Sequence, residues 1–382
     1  MKIDSVRVVM IGSPRVGTNC WVEIGTDTGL VGIGQSGGWG HPAAVAQILH
    51  RLSPLLRGQD PSRIEHLWAA MNRALPFRGN LLSAAMAAVD CALWDIAGKS
   101  LSVPVWRLLG GRARDRVRLH AIARGDGPDE IAARVKQLVD DGFTAVKYDP
   151  LPDEYTRMSR PRMIEGLQTM AEAGRSAAGP DVDIIFDLHR KLDPAAAVDA
   201  VHALSGFRPL YVEDPLQIDS IDVQADLGRR VGVPLAVGER LTSIWEFRQL
   251  LDRDVALVLR PDVGLAGGIS HTRKIAALAE AHHCLLSPHN FLGPGITAAT
   301  LHVAVSTSNL LTMEYVTSDE DPAEIAVVSS AARRDGGHLL PPESPGLGIE
   351  ITAGHAEVMP AEERPLTWAG LLRDDGSVAT SV

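Results

Sequence analysis

Three acidic residues end three consecutive predicted strands and could share one metal ion. Asp187 ends the run DIIFD, Glu213 follows LYV, and Glu239 follows LAVG. In a barrel of parallel strands the C-terminal strand ends converge on one mouth, where active sites are built. Three carboxylates would repel one another there unless a hard cation joined them, and oxygen ligands favour Mg²⁺ over softer metals. Each acid alone could cap a helix or lie in a solvated loop, but three at matched positions favour one Mg²⁺ site.

Two histidines at other strand ends are candidates for proton transfer. His289 ends the run CLLSPH, and Asp262 ends the neighbouring run LVLRPD. A carboxylate–imidazole hydrogen bond between them would fix the ring tautomer and raise its basicity, as a general base requires. His189 lies two residues beyond Asp187, so that both side chains can point into the mouth. A loop histidine that contacts the next helix is the alternative for His189.

Lys147 and Asp149 share this two-residue spacing at the end of the second predicted strand, and Glu314 ends the eighth. Lys147 could pair with a metal-bound carboxylate or an enolate oxygen, or form a simple salt bridge to a barrel acid. Glu314 could donate a hydrogen bond if protonated, or serve as a structural acid bound to Lys147. These alternatives stay open from the sequence.

Eight short apolar runs carry these side chains and predict a closed barrel of parallel strands. Successive strand-end residues from Asp187 to Glu314 are 23 to 27 positions apart. That length holds one strand, a loop and one helix, which predicts an α/β fold, a (β/α)8-type barrel of the modified TIM kind. An open doubly wound sheet is the rival, but no GxGxxG fingerprint follows the first strand. The predicted strands are 116–123, 144–149, 183–189, 210–214, 235–239, 257–262, 284–289 and 310–315.

A smaller α+β unit precedes the barrel. The pattern of residues 2–34 predicts a small antiparallel sheet with a Thr26–Gly29 turn, and residues 43–110 are helical by pattern. The Pro- and Gly-rich tail is expected to return to this unit. The predicted boundaries are 1–115 for the N-terminal domain, 116–340 for the barrel and 341–382 for the C-terminal segment.

Composition excludes several classes of protein. The 382 residues include 37 basic and 47 acidic side chains without basic runs, a poor match to nucleic-acid binding. No stretch approaches the ~20 apolar residues of a membrane span, and the N-terminus lacks a signal peptide's apolar region. Three distant cysteines without CxxC spacing indicate a reducing compartment. We therefore expect a cytoplasmic protein that binds a small molecule, and neither nucleic acid nor membrane.

Six motifs together make the chain resemble the mandelate racemase subgroup of the enolase superfamily, and within it the D-galactonate-type acid-sugar dehydratases. The resemblance covers nearly the whole chain and implies an N-terminal capping domain that the C-terminal tail completes. It also implies a homo-oligomer, a dimer or an octamer. The motifs are ALWDIAGKSLSVPVWRLLGG (92–111), DLH (187–189), VED (212–214), GER (238–240), RPDVGLAGGIS (260–270) and SPHNFLGP (287–294).

The resemblance also implies the metal and the base. Asp187, Glu213 and Glu239 would hold one octahedral Mg²⁺ in each active site, and Asp262 with His289 would form the basic dyad. The metal would stabilise the enediolate that forms when a sugar-acid carboxylate loses its α-proton. The implied reaction is dehydration of a galactonate- or gluconate-like aldonate to a 2-keto-3-deoxy acid.

The remaining catalytic roles follow from the same resemblance. Glu314 would be an electrophile that, with Lys147, neutralises charge on the enediolate, and His189 would protonate the leaving hydroxyl. Racemases of the subgroup carry a Lys-x-Lys base at the end of the second strand. Here Asp149 replaces the second lysine, where the dehydratases commonly have Asn, so that one-base elimination is favoured over inversion. An epimerase, racemase or cycloisomerase using the same enediolate is the alternative.

A glycine-rich loop, GQSGGWG (34–40), is expected to close over the polyol end of the substrate. Packing of the tryptophan and surface exposure of an arginine are the alternatives. The expected substrate-binding residues are Trp39, His41, Arg78, Asp149 and Arg240.

Overall fold

Three antiparallel strands open the chain and form their own sheet. They are β1 (Ile3–Ser13), β2 (Gly17–Thr26) and β3 (Val31–Gln35), paired in sequence order. The turn before β3 is the predicted one, because Gly29 N donates to Thr26 O at 3.0 Å. This computed structural model describes residues 1–13, 16–330, 332–352, 372–373 and 375–379.

Four helices follow this sheet, of which the first and third pack against it, and the third, the longest, forms the centre of the N-terminal domain. The helices are α1 (Pro42–Leu56), α2 (Ile64–Ala74), α3 (Asn80–Ser100) and α4 (Val105–Leu108). Small residues let β3 approach α3 closely, since a Cβ at Gly34 would lie 2.0 Å from Ala88 O.

Contrary to the expectation from the sequence, α3 is long and apolar enough to cross a membrane. Its most apolar 18-residue window has a mean hydropathy of 1.5, but 78% of that window is buried inside the fold. Core helices of soluble proteins meet the same criterion, because a helix that is apolar all round must be buried somewhere. The apolar character of α3 is therefore accounted for by its central position.

Eight parallel strands follow and close into a barrel, as predicted. Neighbours pair in sequence order from the first strand to the seventh, and the eighth pairs with the first. A bridge between Leu286 and Leu310 joins the seventh strand to the segment before the eighth. The strands are β4 (Val117–Ile122), β5 (Ala145–Tyr148), β6 (Asp183–Asp187), β7 (Tyr211–Glu213), β8 (Leu235–Val237), β9 (Val258–Leu259), β10 (Leu285–Leu286) and β11 (Met313–Tyr315).

Helices surround the barrel, and several begin with a side chain that caps their free backbone N–H groups. Asp193 Oδ1, for example, accepts hydrogen bonds from the N–H groups of Ala195 and Ala196. The helices are α5 (Pro128–Asp140), α6 (Arg160–Ala178), α7 (Pro194–Ser205), α8 (Ile221–Arg230), α9 (Ile244–Leu251), α10 (Gly268–Ala281), α11 (Pro294–Ser306) and α12 (Pro322–Ile325).

The chain after the barrel first forms a small hairpin and then contacts the N-terminal domain. The hairpin of β12 (Arg334–Asp335) and β13 (His338–Leu339) pairs with β4 in the antiparallel sense. Leu347 N then donates to Asp95 Oδ1 on α3 at 2.7 Å. Part of the predicted C-terminal segment lies outside the described residues, namely 353–371, 374 and 380–382.

Asp90 on α3 links the N-terminal domain to the barrel. Its side chain is fully buried and accepts a hydrogen bond from Ser270 N at 2.9 Å, at the start of α10. A buried carboxylate without a counter-ion in contact is expensive to ionise. Burial therefore raises the pKa of Asp90 to about 7.

This raised pKa predicts that the contribution of Asp90 to the stability of the fold increases as the pH falls. Between the unfolded pKa of 3.8 and the folded pKa of about 7, the folded chain binds a proton that the unfolded chain does not. The free energy of unfolding of the wild type, relative to Asp90→Asn, should therefore rise as the pH falls, by at most about 1.4 kcal/mol per pH unit. Urea unfolding at several pH values in this window measures the difference. Asp140→Asn, an exposed control on α5, should show no such trend.

Candidate active site

The C-terminal ends of the barrel strands open into a cavity of about 320 Å³. Nine of the residues predicted for the site line it, and they come from five different strand ends and from the N-terminal loop. Predicted residues in the lining are Trp39, Lys147, Asp149, Asp187, His189, Glu239, Arg240, His289 and Glu314. Two more predicted residues do not line the cavity but contact residues that do: Glu213 contacts Lys147, and Asp262 contacts His289.

The three predicted metal ligands lie together, and we call them the acidic trio. Asp187 and Glu213 are register partners on β6 and β7, and Glu239 follows β8 by two residues. One carboxylate oxygen from each lies within 4.8 Å of the other two, and all three side chains are buried. The regular pairing of the parallel strands is what brings these separate acids to one point.

The charges around the acidic trio do not balance. Among the buried Asp, Glu, Lys and Arg side chains that Lys and Arg ion pairs join to the trio, five carboxylates face three cations, which leaves two negative charges when all of them are ionised. The carboxylates are Asp187, Glu213, Asp214, Glu239 and Glu314, and the cations are Lys147, Arg190 and Arg260. An excess of two negative charges beside three hard oxygen donors fits a divalent cation. The trio is therefore able to hold one.

Burial and nearby cations set the pKa values of the acidic trio apart. Burial opposes ionisation of Asp187, but His189 and Lys147 lower its pKa to about 2. Burial raises the pKa of Glu213 to about 7 despite the adjacent Arg260. For Glu239, charge interactions outweigh burial, and its pKa lies well below the ordinary value.

Lys147 sits at the centre of this network. Its Nζ lies 2.9 Å from Asp187 Oδ2, 3.1 Å from Glu213 Oε2 and 3.2 Å from Glu314 Oε2. Glu314 also contacts the guanidinium of Arg260. Glu314 thus contacts two cations, which is the arrangement of the structural acid bound to Lys147, one of the two alternatives for this residue.

Arg260 and Arg190 are buried counter-ions of the site that were not predicted from the sequence. Arg260 is fully buried, contacts Glu213 and Glu314, and donates from Nη1 to Ser287 O at 2.8 Å. Arg190 contacts Asp214 and lies 2.8 Å from Glu239 Oε1. The RPD run could have signalled Arg260, because an arginine near a strand-end acid is a ready counter-ion, whereas no sequence pattern signals Arg190.

His289 and Asp262 form the predicted pair. Asp262 Oδ2 lies 2.7 Å from His289 Nδ1, and Asp262 Oδ1 accepts a hydrogen bond from Gly264 N at 2.7 Å. Because a carboxylate only accepts, this contact assigns the proton to Nδ1 and leaves Nε2 free to take one. Nε2 lies 3.8 Å from Glu239 Oε2, beside the acidic trio.

His189 lies on the opposite side of the barrel, four strands away from His289. Its Nδ1 is 3.2 Å from Asp149 Oδ2, and its Nε2 is 3.3 Å from Asp187 Oδ2. Burial lowers the pKa of the imidazole, but Asp187 and Asp149 outweigh it and raise the pKa above the ordinary value. The cavity thus holds one imidazole arranged to accept a proton and one arranged to carry it.

Two of the five residues expected to contact the substrate lie outside this cavity. Trp39 and Arg240 do lie at the cavity, with the Arg240 guanidinium 5.5 Å from the Trp39 ring centre. His41 is instead exposed at the start of α1. Arg78 lies over the Trp245 ring at 5.7 Å and lines another cavity, because the α2–α3 connection packs against the start of α9.

Both domains of the chain match known protein families. The model for the mandelate racemase / muconate lactonizing enzyme N-terminal domain matches residues 8–110, and that for the enolase C-terminal domain-like family matches residues 130–355. The D-galactonate dehydratase of Verminephrobacter eiseniae is 37% identical over 337 residues, 87% of this chain and 88% of that protein. The D-galactonate dehydratase of Cronobacter sakazakii is 33% identical over 94% of this chain and 95% of its own.

Solved structures of similar proteins extend over the whole fold. An enolase from Agrobacterium radiobacter, solved with sodium and L-malate, is 31% identical and matches with a TM-score of 0.90 over 100% of both chains. A member of the enolase superfamily from Salmonella Typhimurium is 27% identical and matches with a TM-score of 0.89, over 93% of this chain and 97% of that one. The chain therefore belongs to the mandelate racemase/muconate lactonizing enzyme family of the enolase superfamily.

Proposed function

We propose that this protein is a Mg²⁺-dependent acid-sugar dehydratase, a hydro-lyase that converts an aldonate to a 2-keto-3-deoxy acid through an enediolate. One observation carries the proposal. Two imidazoles, each paired with a carboxylate, face one cavity from opposite strands with the acidic trio between them. The similarity to D-galactonate dehydratases supports the galactonate or gluconate kind of substrate.

The residues of the chain divide the proton transfers between them. His289 Nε2 removes the α-proton, and Asp262 stabilises the imidazolium that results. His189 gives its proton to the 3-hydroxyl, which leaves as water when the C3–O bond breaks. When bound on the acidic trio, Mg²⁺ supplies electrostatic stabilisation of the charge that develops on the substrate carboxylate.

The elimination leaves an enol between C2 and C3, which becomes the 2-keto-3-deoxy acid by tautomerisation. Lys147 adds positive potential beside the reacting carboxylate while it holds Asp187, Glu213 and Glu314 in place. The proposed choice of Mg²⁺ is supported by the all-oxygen character of the trio.

A panel of aldonates tests this function. The enzyme, Mg²⁺ and each five- or six-carbon aldonate are incubated together, and 2-keto acids are assayed by semicarbazide absorbance. We expect a keto acid from at least one galactonate- or gluconate-like member. Formation of C2 epimers alone, or consumption of a substrate without any keto acid, would replace dehydration by epimerisation or cycloisomerisation.

We also propose the cellular setting and assembly. A cytoplasmic location is supported by the thiols of Cys20, Cys91 and Cys284, which are free and buried. A homo-oligomer and the domain boundaries after residues 115 and 340 are proposed on the family resemblance. We further propose that the small-molecule acid sugar is the partner of the site, and not nucleic acid or membrane.

A further inference from the structure

Asp149 lies in the cavity wall but is turned toward its protein neighbours. It stands at the end of β5, next to β6, where the chain continues into His189. Its Oδ2 is 3.2 Å from His189 Nδ1 and 2.6 Å from Lys191 Nζ, and its Oδ1 accepts a hydrogen bond from Leu151 N at 2.9 Å. Both oxygens are therefore engaged by protein donors.

We infer that Asp149 is a positioning residue that orients the His189 ring for proton delivery to the leaving hydroxyl. The inference rests on the proposed function. It assigns Asp149 a role different from the substrate contact expected from the sequence.

The arrangement parallels that of Asp262 and His289. In both cases a carboxylate at one strand end contacts the Nδ1 atom of a histidine that follows the next strand, across β5 and β6 or across β9 and β10. In both cases the Nε2 atom lies nearer the acidic trio, 3.3 Å from Asp187 Oδ2 and 3.8 Å from Glu239 Oε2. Each carboxylate thus decides which ring nitrogen faces the reacting centre.

Hydrogen bonding rather than packing must fix the His189 ring. The side chain is 33% exposed, whereas that of His289 is 13% exposed. The backbone of His189 has φ +47, in the left-handed region, and its N–H donates to Asp187 Oδ1 at 3.0 Å. The backbone sets where the side chain starts, but the contacts at Nδ1 and Nε2 determine how the ring is turned.

Lys191 explains how a further carboxylate can be accommodated in a cavity for an anionic substrate. Its Nζ contacts the same Asp149 oxygen and neutralises it, and the ammonium also lies 5.6 Å from the centre of the Tyr155 ring. A competing explanation is that Asp149 serves only this ion pair. The two explanations differ in what removal of Lys191 should do.

Three variants separate positioning from ion pairing, each measured by two reactions. Dehydration is followed as keto acid formation, and proton abstraction as deuterium entry at C2 of the recovered substrate in D2O. For Asp149→Ala we expect a loss of dehydration of about 10- to 100-fold, typical when a partner that orients a histidine is removed, with exchange retained. Asp149→Asn should restore part of the rate, because its amide oxygen can still accept from Nδ1. Lys191→Met should lose much less than Asp149→Ala.

Other outcomes would overturn the inference. Asp149→Ala could dehydrate at the wild-type rate, or lose exchange as severely as dehydration, which would indicate general damage to the cavity. Lys191→Met could equal Asp149→Ala, which would assign the effect to the ion pair. Failure of the proposed function would show separately, because the wild-type enzyme would then form no keto acid from any aldonate. In that case no 3-hydroxyl would leave, and His189 would have no proton to deliver to it.

Discussion

Replacing His289 with Asn should abolish both deuterium exchange at C2 and dehydration, whereas replacing His189 with Asn should abolish dehydration and leave exchange detectable. The reason is that His289 Nε2 is the free acceptor in the cavity, with Nδ1 committed to Asp262 at 2.7 Å. Without it no enediolate forms, and both reactions fail together. A general acid or base typically contributes a factor of about 10² to 10⁴, so each affected rate should fall by that order.

Proton NMR in D2O measures both reactions in one sample. Exchange removes the C2 proton signal of the substrate, and dehydration produces the signals of the keto acid. His50→Asn, on the exposed face of α1, is the matched control and should behave as wild type. If the His289 and His189 variants lost exchange and dehydration to the same extent, the division of labour between the two imidazoles would be wrong.

Removal of the metal should have the second large effect. Treatment with EDTA is expected to stop dehydration and exchange together, and Mg²⁺ should restore both. Without a dication the two surplus negative charges at the acidic trio would also repel the substrate carboxylate. Glu213→Gln should not recover at the Mg²⁺ concentration that restores the wild type, because it removes one of three charged ligands.

Thermal unfolding separates loss of metal from loss of fold in this experiment. Mg²⁺ that binds only the folded protein must raise the Tm of the wild type. Glutamine has nearly the shape of Glu213 and keeps an oxygen that can accept the hydrogen bond from Lys147 Nζ, so that it fits the metal-free fold. We therefore expect Glu213→Gln to unfold cooperatively without a shift by Mg²⁺, while Glu165→Gln on the exposed face of α6 shifts as wild type does. A full Mg²⁺ shift in Glu213→Gln would contradict the assignment of the acidic trio.

The barrel and the acidic trio were predictable because both follow from periodicity. From Asp187 to Glu314 the strand–helix units have nearly the same length, and parallel strands end at the same mouth, so that Asp187, Glu213 and Glu239 had to converge. The same reasoning predicted that Asp262 and His289, on adjacent strands, would be in contact. Because the strands pair regularly, the position of a residue at a strand end determines which other strand-end residues it lies close to.

Contacts made beyond the strands were not predictable in this way. Arg190 turns back to Glu239 through left-handed backbone at His189 and Arg190, with φ +47 and +62, and such turns of non-glycine residues leave no sequence pattern. Arg78 was misplaced because the position of the α2–α3 connection depends on packing against α9 in the other domain. Lys191 was overlooked for a similar reason, since its contact with Asp149 depends on the turn after β6.

In the proposed dehydration, a proton leaves C2 of the aldonate and a hydroxyl leaves C3 in one active site. A single measurement tests it most directly: wild-type enzyme, Mg²⁺ and the best aldonate in D2O, with the products analysed by NMR and mass spectrometry. The product should have lost the elements of water, carry a ketone at C2 and have one deuterium at C3. A product of unchanged composition apart from deuterium at C2, with inverted configuration there and no ketone, would contradict it.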